Sequence, residues 1–195
     1  MNIVLAQKSD ALAVAKIHKT EIGKGFLSSL PVTFLEKLYV AMIESDGGVC
    51  VVAKENNIVV GFIMGTASVK SFYAFFLKRY SVQATCILFL KVFNVSQLKK
   101  IFETLFYPVK EKSLPPAELL TMAVVKEFQG KGIASQLFLE FVQAMKKKNV
   151  TEFKVLVGEE LLPAIRFYEK AGFVFLKNIN IHNNKKTRVY VYTIF

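Results

Sequence analysis

The sequence predicts a mixed α/β fold, a central sheet flanked by helices and carrying a helical insert. Three observations support this prediction. The run from Thr121 to Ser135 passes from an apolar strand through a turn bearing Gly130 and Gly132 into a long helix. Two β-branched runs, 48–54 and 58–66, flank Glu55-Asn56-Asn57, the composition of a hairpin turn. Elsewhere apolar residues recur at three- and four-residue spacing, the period of helices that bury one face.

In chain order, residues 2–6 read as a first strand, and Ser9 as the cap of a helix running through Ile17 to Glu21. Gly23 and Gly25 then break the helix. Pro31 suits the first turn of a second helix, whose stripe of Phe34, Leu35, Leu38, Tyr39 and Met42 reads as core. Strands two and three follow as the hairpin. The segment 66–117 is longer than a plain connection requires and reads as a helical insert. Phe72, Phe75, Phe76 and Tyr80 share one helical face; Leu98, Ile101, Phe102, Leu105 and Phe106 share another. These stripes are expected to pack on each other or on a second subunit, with a lid or a membrane contact as the other uses. Pro115-Pro116 ends the insert.

The fourth strand spans 119–125. The helix after Gly132 turns Ile133, Leu137, Phe138, Phe141 and Met145 inward and ends at Lys146-Lys147-Lys148, cations that suit the negative end of the helix dipole. Residues 153–157 form the fifth strand, Pro163 starts a short helix that Gly172 can end, and 173–176 and 188–194 supply the last two strands.

Composition limits the function classes. A chain of 195 residues with 53% hydrophobic content reads as one domain, 1–195, and excludes disorder. The apolar stretch 81–90 is about half of what a bilayer-spanning helix needs, so no transmembrane segment is expected. No secretory or transit pattern is visible, so a cytoplasmic location is expected. Cys50 and Cys86 lack metal or disulfide spacing and read as buried reduced thiols; His18 and His182 are too few to add a metal site. The net charge of +11 suits nucleic acid, a membrane surface or a small polyanion. More than half of it falls in 66–117, where Lys70, Lys78, Arg79, Lys91, Lys99, Lys100, Lys110 and Lys112 face only Glu103 and Glu111. No nucleic-acid reading motif organises that charge, so nucleic acid is not an expected partner.

The chemistry starts at the 121–135 turn. The first amides of a helix lack partners within it, and its dipole puts partial positive charge at the same end, so an oligophosphate can dock there. Gly130, Gly132 and small Ala134 allow close approach, and Lys131 adds a charge. A second segment, Pro163-Ala164-Ile165-Arg166-Phe167-Tyr168-Glu169-Lys170-Ala171-Gly172-Phe173, lies a strand's length beyond the long helix. From helical spacing alone Tyr168 is a core tyrosine, on one apolar face with Ala164 and Ala171.

Together the two segments resemble the GNAT superfamily of acyl-CoA-dependent N-acetyltransferases. That family's pyrophosphate loop reads Arg or Gln, two residues, Gly, one residue, then Gly or Ala; Gln129, Gly132 and Ala134 match it. Its second signature is met by Ala164, Tyr168, Gly172 and Phe173. The match is good over 119–173 and looser over the whole chain. The resemblance implies a mostly antiparallel sheet, and acetyl-CoA as co-substrate with no metal. The backbone at Met122, Ala123 and Val124 would align the pantetheine arm, with strands four and five splayed, at a bulge near Met122. The diphosphate would lie on Gln129, Gly130, Lys131, Gly132, Ile133, Ala134 and Ser135. It implies Tyr168 as general acid toward the departing thiolate. Where the family commonly has an asparagine, seven residues before Tyr168, this chain has Leu161; one polar contact is lost, or a longer acyl group is accommodated.

For a general base the candidates are Glu21, the one preferred, and His18, which end the first helix near where the resemblance places the acceptor, and Glu159 and Glu160 after the fifth strand; each reads first as an ordinary surface residue, and an ordered water is the alternative. The segment from Ile17-His18 through Gly25-Phe26-Leu27-Ser28-Ser29-Leu30 to Leu38-Tyr39 resembles a bacterial GNAT subgroup associated with surface-polysaccharide enzymes. That implies a small amine acceptor, an amino sugar first, with protein N-termini or lysines next. The rival reading, drawn from Leu161 and the basic insert, is a non-catalytic acyl-CoA-binding or membrane-surface module with peripheral contact. Monomer and homodimer both remain open.

Overall fold

The computed structural model describes residues 1–23, 26–90, 114–181 and 185–195. The strands are β1 (Asn2–Leu5), β2 (Gly48–Glu55), β3 (Ile58–Thr66), β4 (Glu118–Val124), β5 (Glu152–Gly158), β6 (Val174–Ile181) and β7 (Lys185–Thr193). They form one sheet in the order β1-β2-β3-β4-β5-β7-β6. The helices are α1 (Ala11–Glu21), α2 (Phe26–Ser29), α3 (Val32–Glu44), α4 (Val69–Leu90), α5 (Ile133–Lys147) and α6 (Leu162–Lys170). The expected mixed, mostly antiparallel sheet with flanking helices is what forms. The residues fall into two compact units, Met1–Thr66 with Leu120–Asn149, and Ala67–Leu119 with Val150–Phe195.

In the first unit β1, β2 and β3 pair antiparallel. Asn56 and Asn57 take φ of 49° and 64°, the pair of left-handed residues that a two-residue hairpin with the right twist requires. Helix α3 buries Leu35, Leu38, Tyr39, Ala41 and Met42, while Phe34 is half-buried. Helix α5 buries all five residues read as inward-facing, with Val142 and Ala144 beside them, and packs on β2 and β3. Ser9 does not cap α1. A 3₁₀ turn, Lys8–Asp10, precedes the helix, and the Asp10 carboxylate accepts from the Gln7 N–H at 2.9 Å while pairing with Lys54 at 2.7 Å. Asp10 stands at the N-cap position instead, and its carboxylate ties the preceding Gln7 amide to Lys54 without bonding an amide of α1.

In the second unit β5, β7 and β6 are antiparallel. The last two strands are longer than 173–176 and 188–194, because polar residues such as Asn178, Asn180 and Lys186 still pair on this outer hairpin. Gly172 takes φ of +95° and stops α6 in the left-handed conformation. Phe153, Tyr168, Phe173 and Tyr192 form an aromatic cluster with neighbouring centroids 5.1 to 5.6 Å apart. Helix α4 lies in chain order between β3 and β4 and buries Val69, Phe72, Tyr73 and Phe76. The second insert stripe, 98–106, lies outside the described residues, as does His182.

Strand β4 pairs in parallel with β5 at Glu118 opposite Lys154 and Leu119 opposite Val155; β4 itself extends to Val124 and β5 to Gly158. Residues Leu120 to Ala123 are half-buried although β4 is an internal strand, whereas β3 is buried from Val59 to Thr66.

Candidate active site

The turn after β4 is built by short-range hydrogen bonds. Val125 N–H donates to Val60 O at 2.9 Å and Phe128 N–H to Val125 O at 2.8 Å, making a 3₁₀ turn at Lys126–Phe128. Gly130 and Gly132 take φ of 75° and 76°, a region costly to any residue with a side chain. A Cβ on either glycine would meet nothing within 4 Å, so the space above both is open. Those faces border a hollow of about 220 Å³ lined by Val124, Phe128, Gln129, Gly130, Gly132, Ile133 and Ala134.

 Helix geometry leaves the amides from Gly132 to Ser135 without partners inside α5, whose first internal bond runs from Gln136 N–H to Gly132 O at 3.2 Å. Open space over two left-handed glycines, next to partnerless amides at the positive end of a 15-residue helix, fits a diphosphate.

The residues expected at this turn divide by role. The Gln129 side chain donates from Nε2 to Val124 O at 2.8 Å, bracing the loop against the end of β4. Ile133 is buried and borders the hollow. Lys131 lies over the Phe128 ring, 5.0 Å from its centroid, which holds an exposed ammonium at the loop. Ser135 is exposed and Ala134 half-buried. Gly61 on β3 lets the strands close up: a Cβ there would stand 3.2 Å from Ala123 O.

Tyr168 lies in the second unit, 7% exposed, with Phe173 at 5.1 Å and Phe167 at 5.6 Å between centroids. Burial pushes its phenol well above the usual range, so the proton stays on the oxygen at every physiological pH. Leu161 is 44% exposed at the start of α6. Glu159 lies 3.9 Å from Arg188 in a partly exposed pair, and Glu160 is exposed; both are the surface groups they were expected to be. Glu21 is half-buried at the last residue of α1.

His18 is not a surface group. It is 3% exposed, its Nδ1 shares a 2.7 Å hydrogen bond with Tyr39 Oη, and its ring stacks on Phe62 with centroids 6.4 Å apart. Burial lowers its pKa from 6.5 to about 4, so it is neutral at pH 7 and a weak proton acceptor. The periodicity of α1 carried this signal, since Ala11, Val14, Ala15 and His18 share its buried face. Tyr39 in turn hydrogen-bonds the side chain of Thr121 on β4.

The sequence reading also missed Glu118 and Lys154, which are 5% and 1% exposed. Burial raises the Glu118 pKa from 4.5 to about 7, opposed by Lys154. A glutamate starting β4 and a lysine between Phe153 and Val155 on β5 were the available sign. Cys50 is buried as expected, its thiol pushed up to about 12 by burial and then by Asp10; the side chain of Cys86 lies outside the described residues. Among the described residues no group of His, Cys, Asp and Glu could hold a metal ion, and no helix is long and apolar enough to cross a membrane.

Comparison with known proteins agrees with this geometry. The fold resembles Ard1 from Thermoplasma volcanium, with a TM-score of 0.62 at 18% identity over 100% of this chain and 97% of that one. It resembles a putative GNAT-family acetyltransferase from Desulfovibrio desulfuricans, with a TM-score of 0.65 at 14% identity over 100% and 99%. It also resembles yncA, a putative acetyltransferase from Salmonella typhimurium seen with its cofactor acetyl-CoA, with a TM-score of 0.60 at 13% identity over 100% and 94%. No curated protein matches the sequence. The profile of the acetyltransferase (GNAT) family matches residues 19–173, and the chain therefore belongs to that family.

Proposed function

We propose that this chain is an N-acetyltransferase that moves an acetyl group from acetyl-CoA to a primary amine, working as a single domain over 1–195. The observation that carries this reading is the open glycine turn at the start of α5, where side chains are absent and amides lack helical partners. In this proposal the diphosphate lies on the amides from Gln129 to Ser135, with Lys131 nearby. The backbone of Met122, Ala123 and Val124 aligns the pantetheine arm, and the half-exposure of Met122 and Ala123 supports the assignment. Tyr168 protonates the departing thiolate, and a phenol that keeps its proton suits a donor. Glu21, with or without an ordered water, takes the proton from the amine.

The first acceptor class to test is an amino sugar, suggested by the resemblance of the segment from Ile17 to Tyr39 to a bacterial subgroup. The decisive experiment pairs calorimetry with acetyl-CoA and an amine screen read by release of the CoA thiol. Binding without acetylation of any amine class would refute the enzyme reading and favour a non-catalytic acyl-CoA binder. Tyr168→Phe is expected to cut kcat by about 10²-fold or more while acetyl-CoA affinity stays within about twofold. An unchanged kcat would remove Tyr168 from the acid role.

A further inference from the structure

The first rung between β4 and β5 places two charged residues opposite each other, Glu118 and Lys154, and both are buried. Removing two such charges from water costs several kcal/mol per ion and is offset only by close, well-bonded geometry. That geometry is absent here. Lys154 Nζ stands 3.4 Å from Glu118 Oε2, beyond the roughly 2.7–2.9 Å of a charge-assisted hydrogen bond. The same oxygen is buried without a hydrogen-bond partner.

Lys154 is bonded instead to the chain that leads into β4. Its ammonium donates to Pro115 O, and its backbone N–H donates to Ala117 O at 3.0 Å. Helix α4 meets the same segment, with Val69 N–H donating to Pro116 O at 3.2 Å, and the buried Tyr73 lies within the field of the Glu118 carboxylate. One side chain thus holds residues 115–118 from β5, immediately before the half-buried part of β4. An apolar pair of equal volume would hold the two strands together without burying charge.

We propose that Glu118 and Lys154 are positioning residues that fix the entry of β4, and so present the backbone of Met122, Ala123 and Val124 to the pantetheine arm of acetyl-CoA. This rests on the cofactor reading above. The pair acts through the strand and does not touch the reacting atoms.

The test uses Glu118→Gln, Lys154→Met and the double variant in the full chain, with acetyl-CoA affinity by calorimetry, steady-state kinetics and urea stability measured for each. Each single variant is expected to weaken acetyl-CoA binding and raise its KM by about tenfold, with kcat at saturation within about twofold. The double variant, which buries no unpaired charge, is expected to recover stability but not affinity. Three results would overturn the proposal: affinity that follows stability through all three variants, wild-type affinity in the single variants, or a kcat loss in Glu118→Gln at unchanged KM, which would make Glu118 a catalytic residue. Should the wild-type chain itself fail to bind acetyl-CoA, the cofactor reading falls with it. Binding by wild type with unaltered variants removes the positioning role alone.

Discussion

Two buried groups give the stability of this protein opposite responses to acid over nearly the same range. The His18 pKa is about 4 in the folded chain against 6.5 when exposed, so the unfolded chain binds the extra proton first. Its contribution is complete above pH 6.5 and is lost as pH falls toward 4. Glu118 is the reverse: with a folded pKa of about 7 against 4.5, its contribution is complete below pH 4.5 and is lost as pH rises through 7. Each displacement is worth on the order of 3 kcal/mol, so acidification from pH 7 to 4.5 removes about as much through His18 as it restores through Glu118. Substitution exposes the hidden slopes. Relative to wild type, His18→Asn is expected to gain on the order of 3 kcal/mol between pH 7 and 4.5, and Glu118→Gln to lose a similar amount. Background titrations common to all three cancel in the differences. The assay is urea denaturation at half-unit pH steps, followed by circular dichroism and tyrosine emission, since the chain has no tryptophan. Parallel stability profiles for wild type and both variants would refute the argument.

Three further outcomes follow from the geometry. Gly132→Ala meets no steric obstacle but must hold φ near 76°, so it is expected to cost about 1–2 kcal/mol by thermal melting. Gly48→Ala would place a Cβ 2.0 Å from Met42 O, a backbone atom that cannot yield; a loss of about 3 kcal/mol or more, or failure to fold, should appear in the soluble yield and the melting curve. Tyr39→Phe keeps the buried ring but removes the hydroxyl that joins His18 to Thr121, and is expected to cost about 1–3 kcal/mol in urea denaturation.

The sheet and the turn were legible in the sequence where local chemistry has few solutions. Asn56-Asn57 takes the two left-handed conformations of a tight hairpin, and Gly130 and Gly132 take the positive φ that glycine permits. The inward face of α5 follows from periodicity alone, because one face of a helix either meets the core or does not. Legibility failed where a polar residue belongs to the interior. His18, Glu118 and Lys154 carry residue types that are usually exposed, so the local signs of their burial are weak beside the partners distant in sequence, Tyr39 for the first and each other for the last two. The start of α1 was misassigned for a related reason: Asp10 finds both an amide and a lysine on β2, a combination that Ser9 cannot offer. The outer hairpin extended beyond its apolar residues because strand pairing needs backbone groups, which asparagine and lysine also supply.

The burial of Cys50 has a practical corollary for enzymology. A sulfhydryl enclosed by the core, with a pKa of about 12, carries almost no nucleophilic anion at neutral pH. Colorimetric disulfide reagents that titrate liberated CoA will therefore draw little blank signal from this position, and a Cys86→Ser chain, which keeps Cys50 as its sole cysteine, measures that blank directly.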